Sequence, residues 1–302
     1  MMVKKPKIIV IVGPTASGKT TVGIAIAKAV TGEVVSADSR QIYRGMDIGT
    51  AKPTTAEQGA VPHHLIDIKD PNEDYTVADY KADAVRAIEG IIARGNVPLL
   101  VGGTGLYVRA VVENLDIPKQ SADLELRRQI EAEIARDGLD AVFKKLVALD
   151  PEAAYVVDPK NPRRVVRALE VAIVTGEPFT AQRRKSEPLF DALTIGLDFP
   201  PEILRERIDH RVDVMMRGGL AEETAMLVKK YGVHQTAFDA IGYREIIALL
   251  EGTLSRKDAV AAIKMNTWHY AKRQMTWFRK NRSTHRIKNA DEALPLVKDF
   301  LE

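Results

Sequence analysis

The chain has 302 residues, 45% hydrophobic and 28% charged, with a formal net charge of +3 and no cysteine. That length admits one large α/β domain or two domains with a sizeable core, while the missing cysteines exclude disulfide staples and cysteine-ligated zinc and suit a reducing compartment. No apolar run approaches the ~20 residues of a membrane span, so the expectation is a cytoplasmic protein without a membrane partner.

Ile8-Ile9-Val10-Ile11-Val12 reads as a core strand; the basic start before it resembles a signal peptide only in charge, since five apolar residues are too few. Gly13-Pro14-Thr15-Ala16-Ser17-Gly18-Lys19-Thr20 follows, with a helical pattern from Thr21 to Val30. The spacing fits G-x-x-x-x-G-K-[ST]. In such a loop the backbone N–H groups of Gly13, Thr15, Ala16, Ser17 and Gly18 converge on phosphate oxygens, Lys19 adds a point charge, and the Thr20 hydroxyl can ligate Mg²⁺. The N-terminus of the following helix favours the same anion. Whose phosphates these are is left open by the loop itself.

Glu33 to Asp38 reads as a second strand ending in polar residues, and Ser39, Arg40 and Gln41 open the loop or helix that follows. The carboxyl end of such a strand is where an open α/β sheet holds its ligands. His63 to Ile68 reads as a third strand, closed by Asp70-Pro71. From Asp74 to Arg94, apolar residues at Val77, Tyr80, Ala84, Val85, Ile88 and Ile91 make the stripe of an amphipathic helix that Gly95 ends. Val97 to Val101 is a further strand, and it runs into a second glycine-rich loop, Gly102-Gly103-Thr104-Gly105.

Helical patterns then replace strands, which marks residues 115–190 as a helical insertion in a core made of 1–114 and 191–302. Ala192 to Phe199 returns to a strand, Pro200-Pro201 opens the next helix, and helices dominate to the end, the longest from Asp258 to about Lys280. Between Lys264 and Lys288 there are eight Lys or Arg and no Asp or Glu, which points to a polyanionic partner larger than a diphosphate. Four βα-type units with a phosphate loop after the first strand predict an α/β fold: a parallel sheet of the P-loop, nucleoside-kinase-like kind with helical additions. A dinucleotide-binding fold is excluded because G-x-G-x-x-G is absent. The residues alone leave an ATP-dependent small-molecule kinase and a rarer transferase in contention.

Several blocks narrow the choice: the phosphate loop Gly13–Thr20, Ser36-Ala-Asp-Ser-Arg-Gln-Ile-Tyr43, Asp47-Ile-Gly-Thr-Ala-Lys-Pro53, His63-His-Leu-Ile-Asp67, Val101-Gly-Gly-Thr-Gly-Leu-Tyr107, Arg167-Ala-Leu-Glu-Val171, Gly242-Tyr-Arg-Glu245, and Lys272-Arg273-Gln274 with Thr276-Trp277-Phe278-Arg279. Together and in this order they resemble the tRNA dimethylallyltransferase family, from Lys7 to about Lys280. With no cysteine for the zinc finger that eukaryotic members often append, the chain resembles the bacterial form.

The resemblance implies prenyl transfer from dimethylallyl diphosphate to the exocyclic N6 amine of the adenosine just 3′ of the anticodon in tRNA, with diphosphate released. The phosphate loop would hold the donor, with Mg²⁺ at Thr20 and Arg211 as a second cation, although Arg211 also has Asp213 and Glu206 as potential salt-bridge partners. Asp38 would take the amine proton, unless it merely caps a helix starting at Ser39, and Thr104 would reach the scissile oxygen or the amine. Ser39, Arg40 and Gln41 would contact the target or flanking nucleotides. Pro162, Arg163, Arg164, Val165 and Val166 occupy the insertion's tRNA-contacting position, and Lys272 and Arg273 would add a second grip. Trp268, Tyr270, Trp277 and Phe278 could stack on unpaired bases, with half of them expected in the core. His63 and His64 are expected to make ordinary polar contacts, Asp67 is left with a possible role toward Mg²⁺, and the protein is expected to be a monomer.

Overall fold

Short runs rich in Val, Ile and Leu build one six-stranded, all-parallel sheet of order β3-β2-β4-β1-β5-β6. It belongs to a computed structural model that describes residues 5–117, 123–181, 186–279, 281 and 283–302; Lys280 and Arg282 of the basic run lie outside them. In chain order the elements are β1 (Lys7–Val12), α1 (Lys19–Ala29), β2 (Gly32–Ser36), α2 (Thr55–Ala60), β3 (His63–His64), α3 (Val77–Ala93), β4 (Val97–Gly102), α4 (Gly105–Val112) and α5 (Leu124–Asp137). They continue with α6 (Leu139–Leu149), α7 (Ala153–Val156), α8 (Pro162–Thr175), β5 (Asp191–Leu197), α9 (Pro201–Arg217), α10 (Leu220–Tyr231), α11 (Tyr243–Leu250), α12 (Arg256–Phe278), β6 (His285–Ile287) and α13 (Ala290–Leu301).

The continuous apolar run of β1 follows from burial on both faces of a parallel sheet. Ile8, Val10 and Val12 pack with Tyr80, Ala84 and Ile88 of α3 and Val108 and Val111 of α4, whereas Ile9 and Ile11 pack with Val22 and Ile26 of α1 and Val297 of α13. The connection leaving β1 passes β4 to reach β2, and the one leaving β4 passes β1 to reach β5. The two paths diverge between β1 and β4, so the crevice of the fold lies where both glycine loops emerge. A third cluster joins α9, α10, α11 and α12 through Leu204, Leu220, Ile246 and Ile263, and takes in Ile42, Tyr43 and Met46 from the segment after β2.

Two elements differ from expectation. The strand read over His63–Ile68 stops after His64, because Leu65 and Asp67 adopt left-handed φ of 62° and 55°, which strands cannot accommodate. Conversely β6 lies in the basic run that read as helical; its one apolar residue, Ile287, is buried at the sheet edge while His285 and Arg286 are exposed.

The chain divides into two compact units, Met1–Val112 with Pro188–Glu302, and Glu113–Glu187. The smaller unit is helical, with a core of Ile130, Val142, Leu146, Ala153, Val165 and Leu169. Its root is tied by Asn114, whose Nδ2 donates to Glu187 O at 2.8 Å and whose carbonyl accepts from Ser186 N at 3.3 Å, which draws both connecting segments into this unit. Buried Glu170, in the Arg167–Val171 block, accepts from Asp123 N, Arg127 Nε and Arg167 Nη1, so that block braces the unit.

At the start of β2, buried Glu33 accepts two bonds from Arg94 (3.1 and 2.7 Å) and one from Asn96 Nδ2 (2.7 Å), and lies 2.6 Å from His64 Nε2. The Arg94 bonds, opposed by burial and helped by Asn96 and His64, hold its pKa near 2, below the ordinary 4.5. A depressed folded-state pKa stabilises above the unfolded value and loses that contribution as pH falls through the folded one. Glu33→Gln is therefore expected to lower the neutral-pH melting temperature by several degrees, at roughly 2–4 °C for each kcal/mol in a chain of this size, with the gap closing between about pH 4.5 and about pH 2. Parallel thermal melts across that range check it; a gap that does not change with pH would show that the carboxylate charge contributes nothing.

Candidate functional site

Gly18 is the N-cap of α1 at φ 87° and supplies no side-chain cap, so the first-turn N–H groups of that helix are left for an anion. Ala16, at φ 63°, holds the loop's turn. Lys19 Nζ donates to Pro14 O at 2.7 Å; burial lowers its pKa to about 8, with Arg211 pushing the same way and Asp38 opposing. Gly18, Lys19, Thr20, Asp38, Gln41, Arg211 and Tyr270 line a cavity of about 210 Å³. Two loop residues depart from the expected cradle. The amide of Thr15 is already bonded to Gln274 Oε1 at 2.8 Å, although the residue lines the cavity. Ser17 has its N–H on Pro14 O, and its buried hydroxyl, which has no partner among the described residues, lies where a Cβ on Gly13 would reach.

A second cavity, of about 460 Å³, adjoins the first and shares Thr15, Asp38, Thr50, Ala51, Arg211 and Tyr270 with it. Its other walls include Ser39, Arg40, Asn266, His269 and Arg273. Asp38 therefore stands on the boundary between a phosphate-sized compartment and a larger one. No helix starts at Ser39: residues 39–42 form a turn, and Asp38 Oδ1 accepts the N–H of Arg40 at 2.9 Å and of Gln41 at 3.4 Å. Thr104 comes from the loop after β4. Its N–H donates to Ala37 O at 3.1 Å, and its Oγ1 accepts from Ser39 N at 3.1 Å. Tyr270 lines both cavities, and burial, followed by the Asp38 charge, pushes its pKa up to about 12, so it stays protonated.

Arg211 lines both cavities, and burial lowers its pKa. Asp213, its expected competitor for a salt bridge, pairs with Lys264 at 2.7 Å instead. Arg40 and Gln41 act largely as braces: Arg40 Nη1 donates to Thr236 O and Ala237 O, and Gln41 Nε2 to Thr50 O and Ala51 O. The 47–51 segment that Gln41 supports is clamped from behind by buried Glu223, which accepts from the amides of Asp47, Ile48 and Gly49 and from the Tyr243 hydroxyl. Asp67 bonds Lys52 Nζ, which leaves its carboxylate in an ion pair and outside the phosphate cavity. His63 Nδ1 contacts Val61 O and His64 contacts Glu33, the ordinary polar roles expected of them.

No group of three or more His, Asp or Glu among the described residues is placed to hold a metal. Thr20 and Glu57 nevertheless line the phosphate cavity, a sparse oxygen set that suits Mg²⁺ when substrate phosphates and water supply the remaining ligands.

In the smaller unit, Pro162, Arg163 and Arg164 are exposed in the first turn of α8, where no acidic residue offsets two cations placed against the helix dipole. Val165 and Val166 belong to that unit's core, so their side chains are withdrawn from any RNA: the stripe that buries α8 passes through them. On α12, Lys272 and Arg273 are exposed but diverge. Lys272 lies over the Trp268 ring at 5.7 Å, and Arg273 over Tyr270 at 5.8 Å in the larger cavity. Elsewhere the basic run is partly neutralised, with Lys264 on Asp213 and Arg279 and Arg286 on Asp198. Trp277 packs against Gly105 and edge-on to Phe278, which serves the core. Gln274 carried no expected role from the sequence, and Tyr270 only that of a stacking platform. Their i, i+4 spacing was the available signal, but it does not say what the face meets.

The model of the IPP transferase family matches residues 41–281, and that of isopentenyl transferase matches residues 6–69. A tRNA dimethylallyltransferase of Symbiobacterium thermophilum is 49% identical over 92% of this chain and 88% of its own. One of Thermomicrobium roseum is 47% identical over 92% and 85%. Among solved structures, the full-length tRNA isopentenylpyrophosphate transferase of Bacillus halodurans gives a TM-score of 0.72 at 41% identity, covering 99% of this chain and 96% of that one. A eukaryotic dimethylallyltransferase acting on tRNA gives 0.81 at 28% identity, covering 98% and 79%.

Proposed function

The chain belongs to the tRNA dimethylallyltransferase family, and from that premise we propose that its two adjoining cavities receive the two substrates: the donor's diphosphate on the phosphate loop, and the acceptor base in the larger compartment. The reaction is transfer of the dimethylallyl group of dimethylallyl diphosphate to N6 of the adenosine 3′ to the anticodon of tRNA. The allylic C–O bond breaks with its electron pair leaving on diphosphate, the C–N bond forms, and the N6 proton departs. The observation that carries the assignment of roles is the position of Asp38 on the wall common to both cavities.

Lys19, Arg211 and the first-turn amides of α1 neutralise the charge growing on the leaving group. Mg²⁺, which Thr20 would help hold, adds charge neutralisation at the same oxygens when bound. The attacked amine acidifies only as carbon bonds to it, so a weak base suffices, and the Asp38 carboxylate is that base. Thr104, held by Ser39 in the loop after β4, is not among the residues lining either cavity, so its reach to the scissile oxygen or the amine is a proposal from the family's motif. The target base must leave its stack to enter the larger cavity, which costs little for a loop nucleotide. The protein acts as a monomer in the cytoplasm on this proposal; no described helix is long and apolar enough to cross a membrane.

Incubation with unmodified tRNA and labelled dimethylallyl diphosphate, with labelled ATP in a parallel reaction, tests the function. Label from the prenyl donor in tRNA is the expected result; phosphoryl transfer from ATP with no prenylated tRNA would revive the kinase alternative, which accounts for the loop but not for the whole-chain likeness.

The RNA contacts proposed are Arg163 and Arg164 on α8, and Lys272 and Arg273 on α12. Each lost phosphate contact should flatten the slope of log affinity against log salt by up to ~0.9. Arg163→Ala with Arg164→Ala, and separately Lys272→Ala with Arg273→Ala, are expected to reduce that slope while donor binding stays intact. Salt titrations of tRNA binding beside thermal melts check this, and unaltered slopes in both pairs would mean that these cations are solvated surface.

A further inference from the structure

Tyr270, Gln274 and Trp277 recur every three or four residues along α12 and so share one helix face. Two of them meet the glycine loops, Trp277 covering Gly105 and Gln274 touching both loops at once, while Tyr270 lines the cavities beside them. Gln274 is 5% exposed. Its Oε1 accepts the N–H of Thr15 in the phosphate loop at 2.8 Å, and its Nε2 donates to Gly103 O, beside Thr104, also at 2.8 Å. Gly103 has to lack a side chain here, because a Cβ would overlap Gln274 Nε2. A primary amide suits this bridging position, since it presents an acceptor and a donor from adjacent atoms in one plane and carries no charge to compete with the diphosphate.

We propose that Gln274 is a positioning residue that sets the separation between the phosphate loop and the Thr104 loop, and with it the distance from the leaving group to the groups that receive the acceptor. The assignment rests on the prenyl-transfer reading of the site. Reaction between two bound partners is steeply sensitive to distance, a misplacement of about 1 Å costing on the order of 10²-fold. The diphosphate contacts of α1 and Arg211 do not pass through the amide, so the effect falls on kcat and spares substrate binding.

Gln274→Met keeps the length and loses both hydrogen bonds; Gln274→Glu keeps the acceptor for Thr15 but turns an anionic oxygen on Gly103 O. For Gln274→Met, kcat is expected to fall on the order of 10²-fold with KM for donor and tRNA within about threefold. For Gln274→Glu the loss is comparable at about pH 9 and shrinks toward about pH 6, because burial against a carbonyl raises the pKa of the introduced carboxyl and its protonated form donates to Gly103 O again. Lys19, Asp38, Arg211 and Tyr270 line the same cavity, so each rate is divided by that of the unsubstituted enzyme at the same pH. Wild-type kcat in either folded variant, or a Gln274→Glu ratio that does not move with pH, overturns the proposal. Should Gln274→Met melt below the assay temperature, the Gln274→Glu ratio decides alone. Failure of the unsubstituted enzyme to prenylate tRNA in the same series would instead overturn the functional reading on which the proposal stands.

Discussion

Asp38→Asn is expected to leave tRNA and donor affinity within about tenfold and to slow the chemical step by at least ~10²-fold. The substitution is informative because of how the carboxylate is held. Both of its backbone hydrogen bonds, from the N–H groups of Arg40 and Gln41, fall on Oδ1. An asparagine retains an Oδ1 acceptor of the same shape, so the turn after β2 survives while the ability to take a proton is lost. A purely structural role for Asp38 predicts a near-normal rate in the variant. Single-turnover measurements at saturating donor and tRNA separate chemistry from product release, and a rate close to that of the unsubstituted enzyme would remove Asp38 from the mechanism.

Arg211→Ala is expected to lower kcat/KM for the prenyl diphosphate by roughly 10²–10³-fold, with tRNA binding nearly unchanged and Arg211→Lys recovering part of the loss. Arg211 is a cation in the wall of both cavities, its neighbour Asp213 is committed to Lys264, and burial disfavours its charge. A guanidinium kept charged in such a place is compensated best by a ligand anion. Relieving that burial by substitution with Ala should not destabilise the fold. Steady-state rates against donor concentration, run beside thermal melts, check the point: a lowered melting temperature with an unaltered donor KM would make Arg211 a structural residue.

Much of the core is written locally. A β-branched run, a glycine loop of fixed spacing and a helix require only neighbouring residues to form, so the phosphate loop and the parallel α/β architecture were legible without coordinates. So was the change to helices after Leu115, because apolar spacing of three and four residues is itself a local property. Short elements were less legible. The left-handed residues that end β3 after His64 and the single buried residue of β6 leave almost no periodic signal.

Which face of an element is turned inward depends on what packs there, and at this point the sequence stops. Val165 and Val166 sit beside two exposed arginines in the chain, yet they are core residues, because the rest of the small unit lies on their side of α8. The sequence placed Thr15 and Ser17 in the anion cradle, but it could not tell that the Thr15 amide would be taken by a side chain 259 residues away. Of the two acids, Asp213 and Glu206, that the sequence offered Arg211 as partners, only the tertiary structure showed that Asp213 is held by Lys264, on a different helix. The sequence by itself determined the four longer strands β1, β2, β4 and β5, the glycine loops after β1 and β4 and the chemical types available at their ends, since each depends on contacts a few residues apart. The tertiary structure alone decided that Asp38 divides two cavities and that Gln274 joins their loops, because hydrogen bonds and burial between distant segments exist only once the sheet has ordered its strands and α12 has packed against them.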